Sequence, residues 1–367
     1  MEPHLPRIRF LLMGLGALSL LVALWTGLVR LGWLLPLGHP ALPFVHGPLM
    51  VCGFLGTLIG VERAVALGQR WPYVAPLLSG VGAIALIAGV PAAFFMALSS
   101  VAFTFVCAVI LRRQKSAAMA TMALGTLLWL LGNAGWFAGW PLARVVPWWL
   151  GFLVLTIAGE RLELSRMLRL SRGSQLTFAL ALVLLLAGVL WASGDVARGV
   201  RLMGVGMIAL AAWLFRYDIA RRTVRHQELT RFIAVCLLSG YGWLAISGVL
   251  GVCLGGMMAG PYYDAMLHAL LLGFVFMMIF AHGPIIFPAI IGRPVPYHPL
   301  FYTPVGVLHA ALGLRIAGDM LGWPAARQWG GLFNVVAILS FLATLGWLMG
   351  RRQPSSGLSV SSSATRQ

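Results

Sequence analysis

The chain is a succession of apolar stretches, each about as long as a bilayer is thick, separated by short gaps that hold most of its charge. A helix needs about 20 apolar residues to cross the hydrocarbon core. About twelve segments qualify: residues 8–29, 44–67, 73–90, 92–111, 117–138, 141–163, 174–192, 197–215, 229–253, 263–290, 300–320 and 326–349. The stretch from 73 to 111 is long enough for two helices, with Pro91 as the turn. Of 367 residues, 60% are hydrophobic and 10% charged, and mean hydropathy is +0.92. Water-soluble domains carry about 45–50% apolar and about 25% charged residues. A water-soluble core cannot hide this much apolar surface. The composition therefore excludes a soluble enzyme, a nucleic-acid-binding domain and a disordered chain. The fold class that follows is an all-α integral membrane protein with the lipid bilayer as its main partner. The expected organisation is a single polytopic domain, 1–350, and a Ser-rich, disordered cytoplasmic tail, 351–367.

The formal charge of +17 marks orientation, not nucleic acid. All but one of the 26 basic residues are arginines. About 20 of them fall at the termini and in the gaps after spans 2, 4, 6, 8 and 10, among them Arg112, Arg113, Lys115, Arg166, Arg169, Arg172, Arg221, Arg222 and Arg225. The other side holds Arg30, Arg144, Arg198, Arg201, Arg315 and Arg327. The positive-inside rule then puts both termini in the cytoplasm, requires an even number of spans, and suits a bacterial-type inner membrane. The first apolar run lacks a small-residue cleavage site, so it is expected to stay as a span. Cys52, Cys107, Cys236 and Cys253 all lie in apolar runs without a CxxC spacing, which argues against a disulfide framework, a zinc knuckle or a covalent haem attachment.

A weak internal repeat is visible. Gly53-Phe54-Leu55 is followed nine residues after the glycine by Glu62-Arg63, and Gly151-Phe152-Leu153 likewise by Glu160-Arg161. Gly273-Phe274-Val275 is followed at the same spacing by His282. Each segment is the second of a group of four, suggesting repeats at 1–115, 116–228 and 229–350.

Of eight histidines, His4, His226 and His298 fall in cytoplasmic gaps and His39 in an outer loop, where solvated side chains are expected. His46, His268, His282 and His309 lie in or at the edge of spans, where an ionisable group is costly and marks a functional candidate. His46 and His268 stand near the outer starts of spans 2 and 10, at depths within about 5 Å. In the repeat frame they differ by two residues, about 200° of rotation, so they leave equivalent helices on opposite faces. Such a pair can clamp one metal centre between facing helices. The plainer reading, in which each imidazole hydrogen-bonds a neighbouring helix, stays open. Asp264, four residues before His268, can fix its tautomer or simply favour a helix N-terminus. His282, about 21 Å deeper and on roughly the same face as His268, joins Glu62 and Glu160 as an inner cluster able to bind a metal or pass protons; paired interfacial charges are the alternative. His309 is a candidate second-site ligand. Arg315 can meet an anionic group, snorkel outward, or pair with Asp319 one turn on.

Val45-His46-Gly47-Pro48-Leu49-Met50 resembles the second helix of haem–copper oxidase subunit I, and His268-Ala269-Leu270-Leu271-Leu272-Gly273-Phe274 resembles its tenth. The short length and the His-Ala-Leu opening are closer to the NnrS family of haem and copper membrane proteins linked to the nitric oxide response. The resemblance implies the twelve-span fold, haem b with His46 and His268 as iron ligands, Arg315 as a propionate partner, and nitric oxide or a redox protein as partner. It also implies copper, but the copper-ligand positions differ. Span 6 reads Trp148-Trp149-Leu150, span 7 has no histidine, and Met266 stands beside the single His268. The expectation is therefore a haem protein in nitric oxide response or electron transfer, without the binuclear copper centre of a terminal oxidase or nitric oxide reductase. The alternatives are a secondary transporter of a small solute, for which Pro284, Pro288 and His309 would be the pointers, and a non-catalytic sensor or assembly subunit.

Overall fold

The computed structural model describes residues 5–168, 170–292 and 295–350. His4, Arg169 and the tail 351–367 lie outside them. Among the described residues, eleven helices are long and apolar enough to cross a membrane. With one shorter apolar helix they form the series α1 (Arg7–Arg30), α2 (Leu42–Leu67), α3 (Trp71–Ile87, the short one), α4 (Ala93–Arg113), α5 (Ala117–Phe137), α6 (Leu142–Ser165), α7 (Arg172–Trp191), α8 (Val196–Tyr217), α9 (Glu228–Leu254), α10 (Pro261–Ile290), α11 (Pro299–Leu321) and α12 (Pro324–Gly350). The protein is an all-α, multi-pass membrane protein. Apolar side chains such as Phe10, Phe105, Leu176 and Leu180 are exposed on its outer surface, as contact with lipid requires.

Local chemistry sets the helix ends. Ser116, Ser171 and Asp195 cap α5, α7 and α8 by accepting from the backbone N–H three residues on. Gly68 and Gly322 close α2 and α11 in the left-handed conformation that a side chain disfavours. Short connections pack neighbours as pairs: α5 with α6, α7 with α8, α8 with α9, and α11 with α12.

Three helices sit inside. The buried share is 61% for α2, 78% for α6 and 67% for α10, and no other long helix exceeds 56%. They are the second members of the three suspected groups of four. Each carries the aligned glycine of the sequence repeat, and each of those glycines abuts a side chain of the helix before it: Gly53 meets Ser19, Gly151 meets Leu128 and Gly273 meets Trp243. A methyl group at any of the three would collide with that neighbour, so the missing side chains let the inner helices approach their predecessors closely.

The inner helices run the same way. His46 and His268, near the starts of α2 and α10, come together. Glu62, Glu160 and His282, toward the ends of α2, α6 and α10, line one cavity. An odd number of crossings must therefore separate α2 from α6. Since α4 and α5 each cross, α3 crosses too, despite its length. Among the described residues the shorter α3 thus adds a twelfth passage to those of the eleven long apolar helices.

Two of the inner helices are locally wide. Leu49–Leu55 in α2 and Ala269–Val275 in α10 form π-helical turns, closed by bonds from Gly56 N–H to the Val51 carbonyl and from Phe276 N–H to the Leu271 carbonyl. The first widening deprives the Cys52 carbonyl of its α-helical donor, and the Ser79 hydroxyl donates to it at 2.6 Å. At the start of the second, the Ser247 hydroxyl donates to the Met266 carbonyl at 3.0 Å. α6 stays α-helical through Gly151–Leu153. A wide turn adds about one residue, or about 100° of rotation, to a helix. That corrects the straight-helix reading of His268 and His282: a wide turn lies between them, and they line different cavities.

Candidate functional site: a histidine pair at one end of the inner helices

His46 opens the α-helical part of α2 and His268 precedes the wide turn of α10. Their ring centres are 6.3 Å apart and their planes are inclined by 24°. The His46 Nδ1 bonds to the Ala23 carbonyl of α1 at 2.8 Å. The His268 Nδ1 bonds to the Asp264 backbone carbonyl at 2.9 Å. A carbonyl only accepts, so Nδ1 carries the proton in both rings and the Nε2 lone pair is left over. Among the described residues no hydrogen bond takes up Nε2 of either ring.

The pair lines a cavity of ≈ 770 Å³, counting its open mouth. Its walls are apolar side chains of α1, α2, α10 and α12, including Leu24, Leu28, Met50, Leu271 and Phe276. Gly27 of α1 is part of the design. A Cβ there would stand 3.0 Å from His46 Cε1, so the imidazole occupies the space a side chain would need. Nothing in the sequence pattern singles Gly27 out among 44 glycines.

The charged neighbours differ from expectation. Arg315 does not pair with Asp319 one turn away. It crosses from α11 to α10, where its Nε and Nη2 donate to the Asp264 carboxylate at 2.9 and 3.0 Å. Asp319 is instead 2.8 Å from Arg327 Nε, and Arg327 also reaches within 3.9 Å of Asp264. The Asp264 carboxylate lies 3.3 Å from His268 Nδ1, besides the backbone carbonyl that holds that nitrogen. One carboxylate thus ties His268, Arg315 and Arg327 together, and α10, α11 and α12 with them.

The inner cluster is partly assembled. Glu62, Glu160 and His282 share a cavity at the far ends of the inner helices, walled by Leu55, Thr156 and Met278 among others. Arg63 bonds Glu160 and lies 3.6 Å from Glu62. Arg161 turns away and pairs with Asp218 through two bonds of 2.8 and 2.9 Å. The two Glu-Arg steps, alike in sequence, therefore serve different contacts. The His282 Nδ1 bonds to the Met278 carbonyl at 2.7 Å. His309 does not join this group. It stacks on Trp243 and accepts its indole N–H at 2.8 Å. Among the described residues no group of three or more His, Cys, Asp or Glu side chains is placed to hold a metal ion.

Met266 is buried and lines a different pocket from His268. Trp149 is buried and donates to Asn133 Oδ1 at 2.9 Å. His39 is held in its loop, 3.1 Å from the Ile87 carbonyl, rather than free in solvent.

The family model of a domain of unknown function, DUF8744, matches residues 9–349. The chain belongs to this family. No curated protein matches it. The DUF8744 match takes in both histidines, the wide turns of α2 and α10, and all residues named at the two cavities.

Proposed function

We propose that this DUF8744 membrane protein binds a single haem between His46 and His268, and that it serves in nitric oxide response or electron transfer, in the manner of the NnrS-like proteins its sequence resembles. The observation that carries the reading is the ring pair. Two imidazole nitrogens each about 2.0–2.1 Å from one metal are about 4 Å apart, which puts the ring centres, set further back, about 6 Å apart. The observed 6.3 Å suits that arrangement. Both rings have Nδ1 engaged by a carbonyl, the usual way a ligating histidine is oriented and its tautomer fixed.

The donor count favours a porphyrin over a bare ion. Two neutral imidazoles without a third protein donor do not complete the coordination of zinc or copper. A porphyrin brings four nitrogens of its own, and the apolar walls suit its faces. When bound, the group supplies one-electron chemistry or gas binding. With both His46 and His268 engaged the group would have no free position, so binding nitric oxide would require one of them to leave. Copper has no such support in the residues present, and haem b is the group proposed. The placement in a bacterial-type inner membrane with both termini cytoplasmic rests on the basic gaps.

The test is a pyridine haemochrome spectrum of the purified, solubilised chain. About one haem b per chain and a low-spin Soret band are expected. A colourless, well-folded preparation from haem-supplied cells overturns the proposal.

A further inference from the structure

Asn334 of α12 is 2% exposed and lines the histidine cavity, and among the described residues it has no hydrogen-bond partner at either Oδ1 or Nδ2. A buried amide with both ends unmet is rare, because water is lost on both sides without replacement. Its neighbourhood indicates what meets it. One turn earlier on α12 stands Gly331, and a Cβ there would lie 3.7 Å from Arg315 Nη1. Arg315 commits Nε and Nη2 to Asp264, so Nη1 is the guanidinium nitrogen outside that pair. Apart from the two histidines, Arg315 and Asn334 supply the polar side chains of a cavity otherwise lined by apolar groups and glycine.

We propose that Asn334 is a specificity residue: its side-chain amide, in the cavity that Arg315 also lines, holds a carboxyl group of the ligand bound between the histidines. This rests on the haem reading, since the propionates of haem b are carboxylates. It restores a ligand-facing role to Arg315 through the nitrogen that Asp264 leaves, and it adds an uncharged partner absent from the sequence reading. An amide suits the place. It bonds a carboxylate without adding a second buried cation next to Arg315.

The experiment uses the full-length chain produced without haem supply, titrated with iron protoporphyrin IX and with its dimethyl ester, and followed at the Soret band. The wild-type chain is expected to bind the free acid about tenfold more tightly than the diester, the size of one hydrogen bond to a charged group. Asn334→Leu, which leaves Arg315 in place, should lose a measurable part of that preference and keep the band position that the two histidines set. Asn334→Asp, which puts a like charge against the carboxylate, should weaken binding of the free acid and spare the diester; it decides the matter if the leucine variant does not fold. An unchanged preference in the variants, with a normal Soret band in the wild type, overturns this inference alone. The absence of a Soret band with either porphyrin in the wild type overturns the haem reading and this inference with it.

Discussion

His46 and His268, far apart in the sequence, hold their rings 6.3 Å apart and within 24° of parallel near the starts of two parallel inner helices. Each ring is fixed by a backbone carbonyl rather than by the other ring. Either imidazole alone leaves a one-sided site. His46→Ala and His268→Ala are each expected to remove the low-spin Soret band almost completely, while the solubilised proteins elute as the wild type does. A variant that keeps full absorbance with one histidine missing would show that the pair is not the ligand set.

Gly27 tests the same geometry from behind. A side chain there competes with the His46 ring for space. Gly27→Leu is expected to push the ring from the Ala23 carbonyl and reduce bound haem severalfold, whereas Gly14→Leu, where a Cβ meets nothing within 4 Å, should leave it unchanged. Haem-to-protein ratios of the two purified variants decide.

The Asp264 carboxylate is the hub of the charged network at this end. It is little exposed and joined to Arg315 by two bonds. Removing one member of a buried ion pair leaves its partner uncompensated, at a cost of about 3–5 kcal/mol. Asp264→Ala is expected to lower stability by about 3 kcal/mol, read from the midpoint of denaturation in mixed micelles. Asp195→Ala, at an exposed helix start facing Arg198, should cost about 1 kcal/mol, the worth of an N-cap.

The widened turn of α2 depends on a donor from another helix. Ser79→Ala leaves the Cys52 carbonyl buried without its hydroxyl partner and is expected to destabilise by about 1–3 kcal/mol. Ser79→Thr keeps the hydroxyl and should recover part of the loss. Hydrogen exchange in α2 should rise near residues 52–56 in the alanine variant and not in the threonine one.

The membrane class and the span positions were legible in the sequence, because burial in lipid demands long apolar runs; the repeat singled out segments 2, 6 and 10, but only their burial in the fold shows them to be the inner helices. The pairing of His46 with His268 followed from equal depth on helices running the same way. What escaped was rotational. Nothing in Leu49–Leu55 or Ala269–Val275 announces a wide turn, so helical counting failed across it, as it did for His268 and His282. Partner choice escaped as well: Arg315 has Asp319 one turn away in sequence, yet bonds Asp264 on another helix, because a buried guanidinium is best served by a carboxylate it can meet with two parallel bonds. Asn334 gave no sequence signal; only the lack of a hydrogen-bond partner among the described residues marks it.

The two wide turns give α2 and α10 a slack in length that their α-helical neighbours lack. Each turn works as a phase adjuster between the histidine upstream and the acid or imidazole downstream. Deleting a single residue from Leu49–Leu55 would return that stretch to ordinary α periodicity and shorten the span by only about 1.5 Å, which a bilayer absorbs easily. A deletion in the α-helical part between the wide turn and either group has no such slack and would swivel one half of the helix against the other by about 100°. Indels in the α-helical parts of these two helices should therefore alter the site long before they disturb insertion into the membrane.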